Sequence, residues 1–322
     1  MEETHLMFGD IITKCKVADK YLGDMIHQGG LVASIEATVE DRAGRITAAS
    51  YEIKAVLDDY RMQAVGGIMG AWDLWNLAVI PSLLNNCSTW IGMNTRMEDK
   101  LEAIQEGYLR LMLEVPISTP KVALRAETGM LSMKHRVWEQ KINLFIALRR
   151  MKDGLAKETL EEQIVQGWPG LAREVQEILG KIGVPGWEPD KQAVHMALRS
   201  HDKAEIMEKM MTGYKKLDKI KQDDPTKAKE YMERKAIADS RLIFRMRTEM
   251  VKLRDNMRNM YKGDLVNCQA CSMGVPESQT HVMFCTGYED LRLGKDMRED
   301  KDLVSFFRDV LKMRERKKTE IY

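Results

Sequence analysis

Two kinds of hydrophobic pattern follow one another along the chain. Residues 6–28 contain short apolar or β-prone runs broken by Gly-Asp and Ala-Asp pairs, which is typical of a small β-hairpin or the edge of a sheet. From residue 29 onward, apolar positions recur with the period of an α-helix. In residues 97–115 they are spaced alternately four and three apart, which gives an apolar stripe for packing against other helices. The pattern predicts a mainly α protein: a helical bundle with a small N-terminal β-hairpin.

Prolines, glycines and changes in charge divide this chain into consecutive segments. Pro116 ends the helix over 97–115, and Pro/Gly clusters at 168–170 and 184–189 predict loops, with a domain boundary near residue 185. We expect six segments: a β-hairpin at 1–30, a helical bundle at 31–115, a helical connector at 116–188, a helical segment ending in a basic helix at 189–262, a short module rich in cysteine at 263–290, and a C-terminal helix with a basic tail at 291–322.

Composition restricts the class of protein. The chain has 322 residues, of which 44% are hydrophobic and 31% charged, with 50 basic and 49 acidic side chains. This balance is typical of a soluble globular protein of two or three domains. The first residues have no signal-peptide pattern, and no run reaches the ~18 apolar residues of a membrane span. Five cysteines, three of them clustered, favour a reducing compartment. We therefore expect an intracellular protein, nuclear or cytoplasmic, that is not secreted and has no membrane partner.

The most specific chemical signal is a cluster of soft metal ligands. Cys268, Cys271, His281 and Cys285 follow the spacing C-x2-C-x9-H-x3-C, which falls within the spacings of known zinc modules. Two cysteines separated by two residues can aim both thiolates at one point, and residues four apart on a helix share one face. Thiolate and imidazole suit Zn²⁺, and four protein ligands leave no position for a substrate. We expect a structural zinc site; the alternative is four unrelated residues with free, partly buried thiols.

A basic amphipathic helix is predicted directly before this cluster. Residues 234–262 contain nine Lys or Arg against three Asp or Glu, and the apolar positions from Ile243 to Met257 are spaced three and four apart. One interpretation is an ordinary solvated helix face. The other is a phosphate-contacting helix. In that case the predicted nucleic-acid contacts are Arg241, Arg245, Arg247, Lys252, Arg254 and Arg258.

Catalytic motifs do not accompany these features. The sequence contains no P-loop, no G-x-S-x-G and no H-E-x-x-H. The acid pairs Asp58-Asp59 and Asp223-Asp224 lie at the end of a helical pattern and before a helix-starting proline, where surface acids and caps are usual. Two-metal polymerase chemistry needs carboxylates that converge on Mg²⁺. The residues therefore favour a binding module over an enzyme.

The order of these features resembles the C-terminal half of non-LTR retrotransposon reverse transcriptases. The resemblance is carried by Lys20-Tyr21-Leu22-Gly23, by residues 78–84 followed by Trp90, by residues 118–124, and by the Cys/His cluster with Gly287-Tyr288 after it. In that family a Tyr-Leu-Gly strand closes the palm, a proline-containing apolar helix belongs to the thumb, and a zinc knuckle lies near the C-terminus. The resemblance implies that 1–30 is a palm remnant, that 31–115 is thumb-like, and that 263–290 is a zinc knuckle.

The family's catalytic motif is missing from this chain. In the family, Tyr/Phe-Ala-Asp-Asp precedes Tyr-Leu-Gly, but the 20 residues before Tyr21 do not contain it. The resemblance implies a non-catalytic fragment that binds RNA, DNA or both, with Mg²⁺ bound only in the parent polymerase. One alternative is a part of an active RNA-directed DNA polymerase whose palm comes from another polypeptide, the remainder of a reverse transcriptase. The other is a helical protein-interaction scaffold with a structural zinc.

Overall fold

The N-terminal part of the chain forms two β-hairpins. The computed structural model describes residues 5–8, 11–14, 17–21, 23–59, 67–213, 220, 223–234, 236–258 and 263–319. Strand β1 (His5–Phe8) pairs antiparallel with β2 (Ile11–Lys14), and β3 (Ala18–Tyr21) pairs antiparallel with β4 (Asp24–His27). The short β-prone runs of the sequence therefore do form hairpin strands, as predicted.

In the part of the chain that the structure describes, helices form most of the remaining regular structure, so the mainly α prediction is confirmed. They are α1 (Leu31–Asp58), α2 (Met69–Leu74), α3 (Ile80–Leu83), α4 (Thr95–Leu113), α5 (Lys121–Thr128), α6 (Met133–Arg150), α7 (Leu155–Gln166), α8 (Leu171–Lys181), α9 (Lys191–Gly213), α10 (Glu230–Arg234), α11 (Ile237–Arg247), α12 (Gln279–Phe284), α13 (Glu289–Arg292) and α14 (Asp300–Thr319). A π-helical segment, Trp75–Val79, joins α2 to α3. Within the described ranges, none of these helices has the length and apolar character needed to cross a bilayer.

The chain divides into two compact units, each assembled from separate stretches of sequence. Unit 1 comprises Met1–Ala55, Ala71–Tyr108 and Leu131–Glu205; unit 2 comprises Val56–Gly70, Leu109–Met130 and Ile206–Tyr322. This division differs from the six consecutive segments expected from the sequence. The last boundary follows Glu205 and does not lie near residue 185, where the Pro/Gly cluster is.

One core in unit 1 explains this difference. Helices α6, α7 and α8 pack their apolar faces together, with Phe145, Val175 and Ile178 buried among them. Val194 and Leu198 of α9 belong to the same buried cluster, although they follow the Pro/Gly-rich loop. Because the helices on both sides of that loop share a core, the loop is a turn within one unit and not a linker between domains.

Unit 2 contains the metal-ligand segment within its main core. Buried side chains from α11 and α14, among them Ile243, Phe306 and Phe307, form one cluster with residues of the segment between these helices. Cys268 and Cys285 are members of that cluster. The segment is therefore packed into a larger core and does not stand apart as the separate 263–290 module that the sequence suggested.

The predicted basic helix over 234–262 is wrong in its extent. Helix α11 ends at Arg247, and Glu249 then adopts a φ of 56°, a left-handed conformation that is uncommon for a residue other than glycine. The side-chain amide of Gln279 donates to the carbonyl of Met246 (2.9 Å), and that of Asn256 donates to the carbonyls of Glu249 (2.6 Å) and Val251 (2.8 Å). These bonds satisfy carbonyl groups that a longer helix would have used internally.

Candidate metal centre

Two of the four candidate ligands lie on a tight loop whose ends are joined by an isolated β-bridge between Asn267 and Pro276. The backbone N–H of Cys268 donates to the carbonyl of Val275 (2.8 Å), which closes the loop at its base. Gly274 has a φ of 64°, where glycine is favoured, and turns the chain back toward that base. Cys271 lies on the part of the loop between these points. The CxxC spacing therefore forms the compact turn expected of it.

The other two ligands come from α12 and the residue that follows it. Ser278 caps this helix, and its hydroxyl accepts from the backbone N–H of His281 (3.2 Å). Cys285 is the first residue beyond the helix and has an extended backbone, with φ −65° and ψ 130°. His281 and Cys285 therefore do not share one helix face, as the spacing had predicted. His281 lies on the helix, and Cys285 follows directly after its end.

The four side chains converge on one point. The Sγ atoms of Cys268 and Cys285 are 3.7 Å apart, and the Sγ of Cys271 is 3.5 Å from Nε2 of His281. All four ligand atoms lie within 4.8 Å of one another, so the cluster can hold a metal ion. Cys268 and Cys285 are buried, whereas Cys271 and His281 are partly exposed. The sequence pattern thus identified four residues that the fold brings together.

The thiols differ in their electrostatic surroundings. Burial raises the pKa of the Cys268 thiol to about 12. A hydrogen bond from the backbone N–H of Met273 lowers the pKa of the more exposed Cys271 thiol. Thiolates are the form that binds metal, and a bound cation favours them over thiols. The buried sulfur therefore needs a cation beside it before it can carry its charge.

Gly287 permits the turn after α12 to pack directly on the CxxC loop. A Cβ atom at this position would lie 1.9 Å from the carbonyl oxygen of Ala270 and 2.3 Å from its carbonyl carbon. Ala270 lies between the two cysteines of the loop, so only a residue without a side chain allows this approach. The resemblance pointed to Gly287, but the spacing pattern offered no reason for it.

A buried carboxylate, Glu277, connects the ligand segment to the rest of unit 2. Its oxygens accept from the hydroxyl of Tyr288 (2.8 Å) and the backbone N–H of Arg254 (3.1 Å), and one lies 3.3 Å from Nε of Arg314. Burial raises the pKa of Tyr288, which keeps its hydroxyl protonated as a donor. Sequence reasoning missed Glu277, because a single Glu in a polar loop carries no signal of burial.

Two of the predicted phosphate-contacting residues instead bind the C-terminal end of α4. Nε of Arg241 donates to the carbonyl of Met112 (2.7 Å), and its guanidinium pairs with Glu114 (3.0 Å) and Asp58 (2.8 Å). Arg245 donates to the carbonyl (2.8 Å) and the carboxylate (3.1 Å) of Glu114. Both arginines are buried. They satisfy carbonyl groups that have no partner within α4, as cations at helix C-termini do.

Arg247 is engaged by a buried carboxylate. Its Nε and a terminal nitrogen donate to the two oxygens of Glu127 (2.8 and 3.0 Å), and it also pairs with Asp223. Burial lowers the pKa of Arg247, but the hydrogen bonds and charge of Glu127 outweigh burial and leave the pKa raised. Tyr231 donates its hydroxyl to the same carboxylate (2.7 Å). Arg247 and Glu127 therefore form a bidentate ion pair in the interior of unit 2.

The remaining predicted contacts are nearer the surface. The side chain of Lys252 is 50% exposed and lies 3.8 Å from Glu114, and that of Arg258 is 66% exposed with Asp255 at 3.0 Å. Arg254 donates to the carbonyl of Leu265 (2.9 Å). The six predicted residues therefore do not form one basic surface, since three have internal partners and only Lys252 and Arg258 have largely exposed side chains.

Exposed apolar side chains flank the ligands, and the sequence reasoning did not single them out. Phe284, immediately before Cys285, is 77% exposed, and Met273, just after the CxxC pair, is 64% exposed. Single exposed apolar residues are common on protein surfaces, so these two stand out only because they adjoin the ligand residues. In the sequence, the position of Phe284 between the ligands His281 and Cys285 could have drawn attention to it.

Comparison of the chain with models of known protein families, with curated proteins and with solved structures gives no match. The resemblance to reverse transcriptases therefore stays a prediction. What the residues establish on their own is a three-cysteine, one-histidine cluster that can hold a metal ion.

Proposed function

We propose that this chain is a non-catalytic, nucleic-acid-binding part of a reverse-transcriptase-like protein, built around a structural zinc ion. The observation that carries the zinc assignment is the geometry of the four ligand atoms. For a tetrahedral ion with bonds of about 2.3 Å to sulfur and about 2.05 Å to nitrogen, the sulfur–sulfur edge is about 3.8 Å and the sulfur–nitrogen edge about 3.5 Å. The corresponding separations here are 3.7 and 3.5 Å.

The zinc has a structural role in this proposal. Three thiolates and one imidazole complete its coordination, so no position remains for a water or a substrate. The ion joins the CxxC loop to the end of α12, and both belong to the core that α11 and α14 build. Removing zinc should therefore loosen the core of unit 2 and not merely free a surface loop.

Cobalt substitution tests the metal assignment. Co²⁺ bound by three thiolates should give an intense sulfur-to-cobalt charge-transfer band, and stepwise addition of Zn²⁺ should bleach it at one equivalent per cluster. The Cys271→Ser variant should show a weaker band and release cobalt more readily. A folded wild-type protein without the band would refute the assignment.

Support for nucleic-acid binding comes from exposed groups of the ligand segment and of the residues that precede it in the chain. Phe284 offers a flat apolar face for a base, and Lys252 and Arg258 offer cations for phosphates. Stacking of a base on an aromatic side chain contributes about 1–3 kcal/mol and tolerates any sequence. The resemblance points to the same class of partner, an RNA or DNA strand.

Fluorescence anisotropy with a labelled single-stranded RNA and a DNA of the same sequence tests this function. Phe284→Ala should weaken binding by about 5- to 150-fold, the equivalent of one lost stacking contact. The matched control is Leu293→Ala, which removes an equally exposed side chain outside the ligand segment and should leave affinity unchanged. The double variant Lys252→Ala/Arg258→Ala should reduce the slope of log affinity against log salt by about 1.4.

Absence of binding at low salt would contradict nucleic-acid binding, and equal affinity for wild type and Phe284→Ala would contradict base stacking on Phe284. Primer extension with Mg²⁺ tests the non-catalytic part of the proposal separately. Synthesis by this chain alone would overturn that part, and synthesis only after addition of a palm-containing polypeptide would favour a split polymerase.

A second candidate is a helical scaffold for another protein, with zinc stabilising its core. The observation that favours it is the internal pairing of Arg241, Arg245 and Arg247, which removes much of the basic character that the sequence suggested. A scaffold of this kind would need zinc for folding and would show no salt-dependent affinity for RNA or DNA. The anisotropy titration therefore separates the two candidates.

A further inference from the structure

A second cluster of metal-binding side chains lies in unit 1, between α6 and α9. His135, near the start of α6, is fully buried, and its backbone N–H donates to the hydroxyl of the N-cap residue Ser132 (3.2 Å). His201 and Glu205 are one turn apart on α9 and partly exposed. These three residues had no assigned role in the sequence pattern, where the histidines are 66 positions apart.

The surroundings of His135 fix which ring nitrogen is free. Its Nδ1 lies 2.5 Å from the hydroxyl of Ser132 and 3.1 Å from a carboxylate oxygen of Asp202, which is itself buried. An ionised carboxylate only accepts hydrogen bonds, so the proton belongs on Nδ1. The lone pair of Nε2 then points away from Asp202 and toward His201, whose Nδ1 is 2.9 Å away. Ligating histidines in metalloproteins are held in this manner by a carboxylate behind the ring.

We propose that His135, His201 and Glu205 bind a divalent transition-metal ion, zinc in the first place, at a site distinct from the Cys/His cluster. The ligand atoms are Nε2 of His135, Nδ1 of His201 and a carboxylate oxygen of Glu205, all within 4.8 Å of one another. Two imidazoles and one carboxylate form a ligand set that zinc uses with a water in the fourth position. Partial exposure of His201 and Glu205 leaves a path by which the ion and that water can enter.

Binding a metal ion at this site requires only a small movement of the two imidazole rings. In a tetrahedral site with metal–nitrogen bonds of 2.0–2.1 Å, two nitrogens are about 3.3 Å apart. The imidazole nitrogens here are 2.9 Å apart, so the rings have to separate by about 0.4 Å. His201 lies on the more exposed side and can supply this movement by a small rotation of its ring. The separation of 3.7 Å between its Nδ1 and Oε1 of Glu205 already accommodates an ion between them.

One cation already contacts the carboxylate of this site. Nζ of Lys134 lies 2.6 Å from Oε1 of Glu205 and 5.0 Å from the centre of the Trp138 ring. Lys134 contacts the same oxygen, Oε1, that lies 3.7 Å from Nδ1 of His201, so the metal has to share Oε1 with Lys134 or bind Oε2 after a rotation of the carboxylate. Because Lys134 reduces the negative charge at the site, we expect a weaker and more easily reversed affinity than at three thiolates.

Metal stoichiometry of the full-length chain tests this site independently of the Cys/His cluster. The protein is equilibrated with buffered Zn²⁺, freed of unbound metal, and analysed for zinc and protein content. We expect two zinc ions per wild-type chain and one in His201→Gln and in Glu205→Gln. These residues are partly exposed, so their variants should fold. The control is Glu208→Gln on the same helix, which changes an exposed carboxylate outside the cluster and should keep two.

The variant Cys271→Ser distinguishes failure of one site from failure of the other. It should retain one ion after loosely bound metal is removed, and Co²⁺ in its place should show ligand-field bands with a sulfur charge-transfer band much weaker than in the wild type, since only Cys268 and Cys285 remain as thiolates. One zinc in the wild type that is lost with Cys271 and kept in His201→Gln would overturn the proposal. Two ions kept in both His201→Gln and Glu205→Gln would overturn it as well.

Discussion

Replacing Gly287 with alanine introduces a methyl group where the turn after α12 touches the CxxC loop. The new Cβ would lie 1.9 Å from the carbonyl oxygen of Ala270, whereas real Cβ contacts are essentially never under 3.0 Å, so the two segments must separate by about 1.1 Å. The obstructing atoms belong to the backbone between Cys268 and Cys271 and cannot rotate out of the way. The displacement therefore falls on the loop that holds two metal ligands.

The magnitude follows from the rigidity of that loop. Overpacking of a well-packed interior costs typically 1–3 kcal/mol, and we expect about 3 kcal/mol because no flexible side chain can yield. If the cost is borne by the metal-bound state, zinc affinity should fall by about 100-fold, since 1.4 kcal/mol corresponds to a factor of ten. Gly287 is not among the glycines with positive φ, so the substitution adds a steric clash without a conformational penalty.

Gly294→Ala is the matched control. That glycine has a φ of 76°, and a methyl group added there would have no atom within 4 Å. Alanine at this position therefore costs roughly 1 kcal/mol of backbone strain and leaves the ligand loop undisturbed. Urea unfolding and competition with a zinc chelator measure stability and affinity in both variants. A Gly287→Ala protein that keeps wild-type stability and zinc affinity would refute the close packing of the two segments.

Three further predictions concern buried charge and the metal ligands. Glu277→Gln should lower the unfolding free energy by about 2–4 kcal/mol, because a neutral amide compensates the nearby guanidinium groups poorly; urea denaturation measures it, and a change within error would contradict the burial of this group. Glu127→Gln should cost about 3 kcal/mol by leaving Arg247 without its main carboxylate, and a melting temperature equal to wild type would argue against that pair. Cys271→Ser should reduce zinc retention in the presence of a chelator, whereas Cys87→Ser, which changes a buried thiol outside both metal clusters, should leave it unchanged.

The parts of the fold that depend on local sequence were predictable. The β-prone runs form hairpin strands, and the helical period in residues 97–115 corresponds to α4. The convergence of Cys268, Cys271, His281 and Cys285 was also predictable. A CxxC turn and a ligand four residues before another restrict the geometry whatever surrounds them.

What could not be predicted depends on partners far away in the sequence. Helix α11 ends at Arg247 without a glycine or proline to mark it, because Gln279 and Asn256 satisfy the carbonyl groups at its end. From the sequence alone, the arginines of α11 look like a basic surface. In the fold, Glu114 and Glu127 lie beside them and neutralise their charge. A charge count along the chain contains no information on such pairings, since the partners are more than 100 residues apart.

The two-unit division was hidden for a related reason. A Pro/Gly-rich loop marks a change of direction, but it does not say whether the helices on either side share a core. Here α8 and α9 do share one, through Ile178, Leu179, Val194 and Leu198. The burial of Glu277, which sequence reasoning missed, and the close packing of Gly287 likewise depend on residues distant in sequence, such as Arg314 and Ala270.

The capping of α4 by Arg241 and Arg245 has a practical consequence for work with shortened chains. A fragment of residues 206–322 keeps every cysteine and histidine of the C-terminal metal cluster but lacks Glu114 and Glu127. Arg241 and Arg245 would then lose their carboxylate partners Asp58 and Glu114, and Arg247 would keep only Asp223. Such a fragment would adsorb to heparin, RNA and DNA alike through released charge, so its retention on a polyanion column would report the truncation and not the ligand preference of the intact protein.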